Sequence, residues 1–147
     1  PTAKVDGLIV PHCTYTDPEV ASVGANPHSL QKSGIAFDRF EFDLSDLDRS
    51  RADPAIKSRP VQHAEVYTQQ GTDKILGATI IGHDAGELLA PICLMMSNGL
   101  GLSAAQKTIF SYPTRSEYLK RLGDAYNRGR MTPTVAKLFQ WWLRRTL

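Results

Sequence analysis

This 147-residue chain lacks the short motifs by which many enzymes are identified. Its two cysteines, Cys13 and Cys93, lie far apart and form no CxxC pair, so no local dithiol or metal site is predicted. The histidines at positions 12, 28, 63 and 83 show none of the spacings that zinc sites use. There is also no GxGxxG, GxxxxGKS/T or GxSxG segment. We therefore expect no metal and no self-contained active site in this chain.

Long apolar runs are absent as well. The longest, Leu88–Met96, is interrupted by Pro91 and is far shorter than the roughly 20 residues that cross a bilayer. With 41% hydrophobic and 22% charged residues, the composition excludes a disordered or collagen-like chain. The chain begins at Pro1 without an initiator methionine or signal peptide, so we expect it to be a segment of a longer protein. Its unpaired cysteines favour a reducing compartment, and the predicted location is cytoplasmic.

Positive charge is concentrated at one end of the chain. The formal net charge is only +2, but residues 118–147 hold seven of the 17 lysines and arginines and one of the 15 acidic residues. Residues 128–147 are predicted to form a basic helical tail that includes Trp141 and Trp142. Nucleic-acid binding is not expected, because no recognition motif accompanies the charge. Docking of the tail on its own domain is favoured, and contact with a partner domain or a membrane surface stays open as the alternative.

Apolar alternation and turn residues predict mostly strands in the first half of the chain. Pro11 places the strand within Leu8–Thr16 at a sheet edge or a strand start, because proline cannot donate to a neighbouring strand. Residues 46–57 lack periodicity and are predicted to form a loop. The other predicted elements are a short helix between Asn26-Pro27 and Gly34, a strand through Phe40 and Phe42, and a hairpin of Val61–Thr68 and Ile75–Gly82.

The second half is predicted to be helical. Asp84 and Glu87 stand three residues apart, as in a capping box that opens a helix through Leu88–Met96. Thr114 and Glu117 predict a second capping box. A last helix is expected from Thr132-Pro133, with an apolar stripe at Val135, Leu138, Phe139 and Trp142. Strands followed by helices predict an α+β fold with a mainly antiparallel sheet, in a single domain spanning residues 1–147 with a core at about 5–127.

Four segments carry a family resemblance. Residues 16–24 read Thr-Asp-Pro-Glu-Val-Ala-Ser-Val-Gly, and residues 110–117 read Phe-Ser-Tyr-Pro-Thr-Arg-Ser-Glu. Between them lie Ile-Leu-Gly-Ala at 75–78 and Gly-His-Asp-Ala-Gly-Glu at 82–87. In order and spacing they resemble the C-terminal dimerisation domain of the FAD-dependent pyridine nucleotide–disulfide oxidoreductases, over roughly residues 5–127. That family includes dihydrolipoamide dehydrogenase, glutathione reductase and mercuric reductase.

The resemblance implies a homodimer in which the loop of Ser111, Tyr112 and Pro113 points toward the flavin of the partner subunit. The position of Tyr112 is a histidine in the disulfide-reducing members, where it acts as a general acid/base, and the residue at the position of Glu117 orients it. Tyr112 and Glu117 are therefore the candidate catalytic residues, and residues 111–113 the candidate flavin contacts. FAD and NAD(P) would be bound by upstream domains of the same protein. This chain alone is expected to bind neither and to be inactive.

Tyr112 departs from the histidine of the disulfide-reducing members. A phenol, with an ordinary pKa near 10, is a poor base at neutral pH but can donate a hydrogen bond. Mercuric reductase-like members also carry tyrosine here, which favours that branch, although the tail Trp141–Leu147 lacks the vicinal cysteines that deliver mercury in that enzyme.

Several alternatives therefore stay open. They are the electron acceptor, the choice between NADH and NADPH, and the presence of an upstream cysteine pair. A rival function also stays open, that of a non-catalytic dimerisation or docking module acting through its interface and its basic, Trp-containing tail.

Overall fold

A five-stranded antiparallel sheet forms one layer of the molecule. The computed structural model describes residues 8–57, 61–130, 141–142 and 144–145. Every neighbouring pair of strands is antiparallel, and the order across the sheet is β1-β2-β5-β4-β3. The strands are β1 (Pro11–Thr14), β2 (Glu19–Gly24), β3 (Phe37–Asp43), β4 (His63–Gln69) and β5 (Ile75–Gly82).

Short helices connect the strands, and longer ones follow them. They are α1 (Pro27–Lys32), α2 (Asp48–Ala52), α3 (Pro54–Lys57), α4 (Ala85–Ser97), α5 (Leu102–Lys107) and α6 (Glu117–Gly129), with a 3₁₀ turn at Leu44–Asp46. No helix within the described ranges is long and apolar enough to span a bilayer.

The hydrophobic core lies between one face of the sheet and the helices α4, α5 and α6. Alternate residues of the central strands, such as Ala64 and Val66, point into it, as the two-residue period of a strand requires. Leu89 of α4 and Leu122 of α6 pack against them. This arrangement confirms the α+β fold and the antiparallel sheet.

Most of the predicted elements are present. Pro11 begins the edge strand β1, and β4 and β5 form the predicted hairpin. Asn26 caps α1 by accepting a hydrogen bond from the Ser29 backbone N–H at 2.8 Å. Strand β2 was not identified from the sequence.

The prediction of a loop over residues 46–57 is wrong, because this segment contains α2 and α3. Leu47, Ser50 and Ile56 are almost completely buried. Helices of four or five residues are too short to produce a recognisable apolar period, so the sequence pattern could not indicate them.

The predicted capping box at α4 is also wrong. Asp84 precedes the helix with a left-handed backbone (φ 54°), and its carboxylate makes no hydrogen bond to the first turn. Glu19 of β2 supplies that function instead, because its carboxylate accepts a hydrogen bond from the Gly86 backbone N–H at 3.4 Å. Helix α4 contains the predicted Leu88–Met96 segment and ends at Ser97, with Asn98 and Gly99 (φ 65°) after its last turn.

Part of the basic tail lies outside the described residues. The predicted helix start at Thr132-Pro133 and the stripe residues Val135, Leu138 and Phe139 belong to that part. Trp141 and Trp142 are described as helical and half exposed, and the Arg145 guanidinium lies 4.2 Å from the centre of the Trp141 ring. Docking of the tail on its own domain stays a prediction.

Close packing of α5 against α6 generates the first prediction. A Cβ atom at Gly123 would lie 2.7 Å from the Gln106 backbone nitrogen, whereas one at Gly129 would meet nothing within 4 Å. We expect Gly123→Ala to lower the free energy of unfolding by about 1–3 kcal/mol through overpacking. Gly129→Ala on the same helix should be neutral or stabilising by up to about 1 kcal/mol. Urea denaturation of both variants measures the difference. Equal free energies of unfolding would show that the close approach of Gly123 to Gln106 leaves room for a methyl group.

Candidate functional site

The loop between α5 and α6, residues 108–116, holds the candidate site residues. Ser111, Tyr112 and Pro113 are all exposed, and the Tyr112 side chain is 69% exposed. The Tyr112 hydroxyl donates a hydrogen bond to Oδ2 of Asp48, at 2.7 Å. Asp48 is the first residue of α2, so the structure joins the loop to a segment 64 residues earlier in the chain.

Local hydrogen bonds and one apolar side chain shape this loop. Phe110 packs against the core, which fixes the start of the exposed stretch. The Thr114 hydroxyl donates to the Ser111 backbone carbonyl at 2.6 Å and lies 3.1 Å from the Ser116 hydroxyl. Thr114 therefore stabilises the turn that presents Tyr112.

The predicted capping box of Thr114 and Glu117 is not formed. Helix α6 begins at Glu117, and its cap residue Ser116 makes no side-chain cap. A threonine three residues before a glutamate matches the sequence pattern of the box, but here the Thr114 hydroxyl is used by the loop before the helix. Glu117 lies within the first turn, where its negative charge is favourable to the helix dipole.

Arg115 anchors the same loop to the sheet. Its side chain is only 9% exposed, and its guanidinium donates to the His83 backbone carbonyl at the end of β5. The guanidinium also lies 3.6 Å from the Asp84 carboxylate and donates to the Gln62 side-chain oxygen at 3.5 Å. A buried charge is tolerated when it is paired and hydrogen-bonded in this way. The sequence indicated Arg115 only as part of the family segment.

Asp48 changes the ionisation of Tyr112. The hydrogen bond to Asp48, together with its negative charge, raises the pKa of the phenol above its ordinary value near 10, and Glu117 adds a smaller effect in the same direction. The phenol is therefore neutral at physiological pH, and its one proton is directed at Asp48.

Glu117 has a different hydrogen-bond partner. Its Oε1 accepts from the Arg121 guanidinium at 2.6 Å, one helical turn further along α6. Glu117 and Tyr112 nevertheless line the same surface cavity of about 300 Å³, together with Ile109 and Lys120. The structure thus brings the two candidate catalytic residues to one cavity but joins Tyr112 to Asp48.

One group of potential metal ligands converges among the residues that the structure describes. Glu41, His63 and Glu65 offer ligand atoms within 4.8 Å of one another. The Arg39 guanidinium already bridges the two carboxylates, at 3.0 Å from Glu41 and 2.6 Å from Glu65. The Tyr67 hydroxyl donates to the second oxygen of Glu65. The cluster is therefore a pair of carboxylates, Glu41 and Glu65, whose negative charge is already compensated by the Arg39 guanidinium.

Comparison with known sequences supports one family. The sequence profile of the family described as "Pyridine nucleotide-disulphide oxidoreductase, dimerisation domain" matches residues 10–122. Dihydrolipoyl dehydrogenase from Trypanosoma brucei brucei is 35% identical over 112 residues, covering 76% of this chain and 22% of that protein. Mercuric reductase from Shewanella putrefaciens is 26% identical over 126 residues, covering 86% of this chain and 22% of that protein.

Comparison with solved structures supports the same fold. The HOCl-induced flavoprotein disulfide reductase from Escherichia coli matches with a TM-score of 0.73 and 22% identity, over 84% of this chain and 28% of that one. The chain thus spans about a quarter of the length of the curated relatives it matches.

The buried contacts of Arg115 generate the second prediction. We expect Arg115→Met, which keeps the length of the side chain, to lower the free energy of unfolding by about 1–3 kcal/mol, because buried hydrogen-bond partners lose their donor. The matched control Arg121→Met removes only the half-exposed arginine that pairs with Glu117, and should cost about 0.5 kcal/mol or less. Urea denaturation of both variants measures the two losses. A loss at Arg115 no larger than the control's would contradict an anchoring role.

Proposed function

Because the chain belongs to the dimerisation-domain family of the pyridine nucleotide–disulphide oxidoreductases, we propose that it is the interface domain of an FAD-dependent NAD(P)H oxidoreductase. In this proposal two copies of the enzyme form a homodimer, and the loop of each copy completes the active site of the other. Upstream FAD and NAD(P) domains of the same protein supply the cofactors. The proposed enzyme transfers electrons from NAD(P)H through FAD to an acceptor.

The observation that carries the proposal is the exposed but fixed loop at residues 108–116. Ile109 is 96% exposed and Tyr112 is 69% exposed, although both belong to a loop that Phe110 fixes to the core and Arg115 fixes to the end of β5. Large apolar side chains held out of a well-packed domain are typical of interaction sites. The position of this loop agrees with the family segment at residues 110–117.

The side chains of the loop fit contact with a flavin that is held elsewhere. Ser111, Tyr112 and Pro113 offer an exposed phenol and backbone groups, which suit one edge of a planar ring. The sequence carries no glycine-rich phosphate loop of the dinucleotide type, so we assign the holding of FAD and NAD(P) to the upstream domains. When bound, the flavin supplies the electron transfer, and this chain supplies groups next to the acceptor side.

Tyr112 is proposed as the catalytic contact of this chain. Its phenol is neutral at physiological pH because its ordinary pKa is near 10, and Asp48 raises that pKa further. It can therefore hydrogen-bond to a bound thiol, thiolate or other ligand, but it does not exchange protons as a histidine does near pH 7. Glu117 shares the cavity with Tyr112 and contributes negative charge there.

Substitution of Tyr112 gives the third prediction. In the full-length enzyme, Tyr112→Phe should lower turnover with the acceptor by roughly 10-fold or more, the lower range for one catalytic hydrogen bond. Reduction of the flavin by NAD(P)H should be nearly unchanged, since the family carries out that half-reaction on the opposite face of the ring. Stopped-flow measurement separates the two half-reactions.

A second exposed tyrosine provides the control for that measurement. Tyr15 is 81% exposed, follows β1 and lines a different surface cavity from Tyr112, so Tyr15→Phe should leave both half-reactions unchanged. Unchanged acceptor reduction in Tyr112→Phe would show that Tyr112 has no catalytic role and only packs at the interface.

The proposed homodimer gives the fourth prediction. Stable obligate interfaces bury on the order of 2,000 Å² or more in total, so a charge at the centre of an apolar contact should weaken the dimer strongly. We expect Ile109→Asp to raise the dimer dissociation constant at least roughly 10-fold, whereas Ile35→Asp, at another exposed isoleucine, should not. Analytical ultracentrifugation over a concentration series measures both. Equal dissociation constants for Ile109→Asp and the unaltered protein would place the interface elsewhere.

A further inference from the structure

The Tyr112 hydroxyl has a carboxylate partner that neither the sequence nor the family segment indicates. We propose that Asp48 is the positioning residue of Tyr112, in the role that the family resemblance implies for Glu117. The contact is the 2.7 Å hydrogen bond from the phenol to Asp48 Oδ2. The consequence of this contact for turnover rests on the proposed function, whereas the contact itself can be tested without it.

The backbone that carries Asp48 is firmly placed. Its neighbour Leu47 is 1% exposed, and Ser50, two residues further along α2, is also 1% exposed. The Arg51 backbone N–H donates to the Leu47 carbonyl at 3.0 Å, which closes the turn around Asp48. The exposed carboxylate of Asp48 is therefore carried by a fixed backbone, which keeps it within reach of Tyr112, as a positioning residue requires.

A second link holds the loop of Tyr112 against the same segment of the chain. The Gln62 side chain accepts from Arg115 at 3.5 Å and donates to the Ile56 carbonyl in α3 at 2.9 Å. Residues 44–57 and residues 111–116 are therefore joined at two places. One link is the hydrogen bond from Tyr112 to Asp48, and the other runs from Arg115 through Gln62 to Ile56. The second link also holds the phenol near Asp48, so their distance does not depend on their own hydrogen bond alone.

Glu117 is less suited to position the phenol. Its Oε1 is bound to Arg121 at 2.6 Å, and its side chain is largely covered. Moving this carboxylate to Tyr112 would break an ion pair within the helix, whereas Asp48 already accepts the phenol proton. The two carboxylates therefore have different partners: Glu117 pairs with Arg121 within α6, and Asp48 accepts the hydrogen bond from Tyr112.

The charges around Tyr112 set the direction of the expected effect. Asp48 and Glu117 raise the pKa of the phenol, and Arg121 lowers it, with the Asp48 hydrogen bond and charge the largest causes. Lys107 and Lys120 line the same cavity. Because the raised pKa keeps the phenol neutral to higher pH, loss of Asp48 should let it ionise at lower pH.

The test measures the ionisation of Tyr112 directly. Tyrosine ring-¹³C NMR of the 147-residue chain, titrated from neutral to alkaline pH, follows the Tyr112 signal, which Tyr112→Phe identifies by its loss. We expect Asp48→Ala to lower the pKa of Tyr112, and to lower it more than Glu117→Ala does. The control Asp46→Ala removes an exposed carboxylate of the same segment that pairs with Arg51, and should leave the Tyr112 pKa unchanged. An unchanged Tyr112 pKa in Asp48→Ala overturns the proposal, whatever the enzyme's activity.

Kinetics of the full-length enzyme provide the second measurement. Asp48→Ala should lower acceptor turnover by roughly 3- to 10-fold, the coupling expected between residues that share a hydrogen bond. It should also move the alkaline fall in turnover to lower pH. In a Tyr112→Phe background Asp48→Ala should have no further effect, and an additive loss there would show that Asp48 does not act through Tyr112. If Tyr112→Phe itself leaves turnover unchanged, the catalytic role proposed for Tyr112 fails, but the NMR result still decides the contact.

Discussion

The buried guanidinium of Arg115 joins parts of the chain that are distant in the sequence, and the geometry of the candidate site depends on it. It contacts the end of β5 through the His83 carbonyl, the Asp84 carboxylate before α4, and Gln62 just before β4. Because a buried charge must be compensated, these partners can hardly separate without a large cost in free energy. The loop that follows α5 is therefore anchored beside the end of β5. Tyr112 is exposed, but the loop that carries it is fixed to the rest of the domain.

The same junction explains why three of the resemblance segments occur together. Arg115, from the segment at 110–117, binds His83 and Asp84, from the segment at 82–87. Glu19, from the segment at 16–24, accepts a hydrogen bond from the Gly86 backbone N–H in the first turn of α4. The segments at 16–24 and 110–117 thus supply polar partners for the segment at 82–87, which contains the start of α4. These resemblance segments, which suggest a function, therefore also have a structural role, because they provide hydrogen-bond and charge partners for the polar groups at the start of α4.

Sequence reasoning predicted the parts of this fold that leave a periodic pattern or a turn residue. The hairpin of β4 and β5, the start of α1 at Asn26-Pro27 and the edge strand that begins at Pro11 are of this kind. Sequence reasoning was wrong where a polar side chain can bond either to a neighbour in the sequence or to a residue far along the chain. Asp84 and Thr114 both stand where a capping residue would, but Asp84 lies beside Arg115 and Thr114 binds within its own loop. Such choices depend on tertiary contacts, which spacing along the chain does not contain.

Asp48 could not be found from the sequence for the same reason. It is one acidic residue in a charged stretch, and only the folding of α2 brings it to Tyr112. The contact also decides which hydrogen bond the phenol can offer. A neutral hydroxyl has one proton, and here that proton is donated to Asp48, so the lone pairs of the oxygen face an approaching group. A group that carries its own proton, such as a thiol, can bind Tyr112 as it stands, whereas a thiolate must first compete with Asp48 for the phenol proton. In the proposed enzyme, the partner of Tyr112 therefore bears on the protonation state of the ligand that this loop would bind.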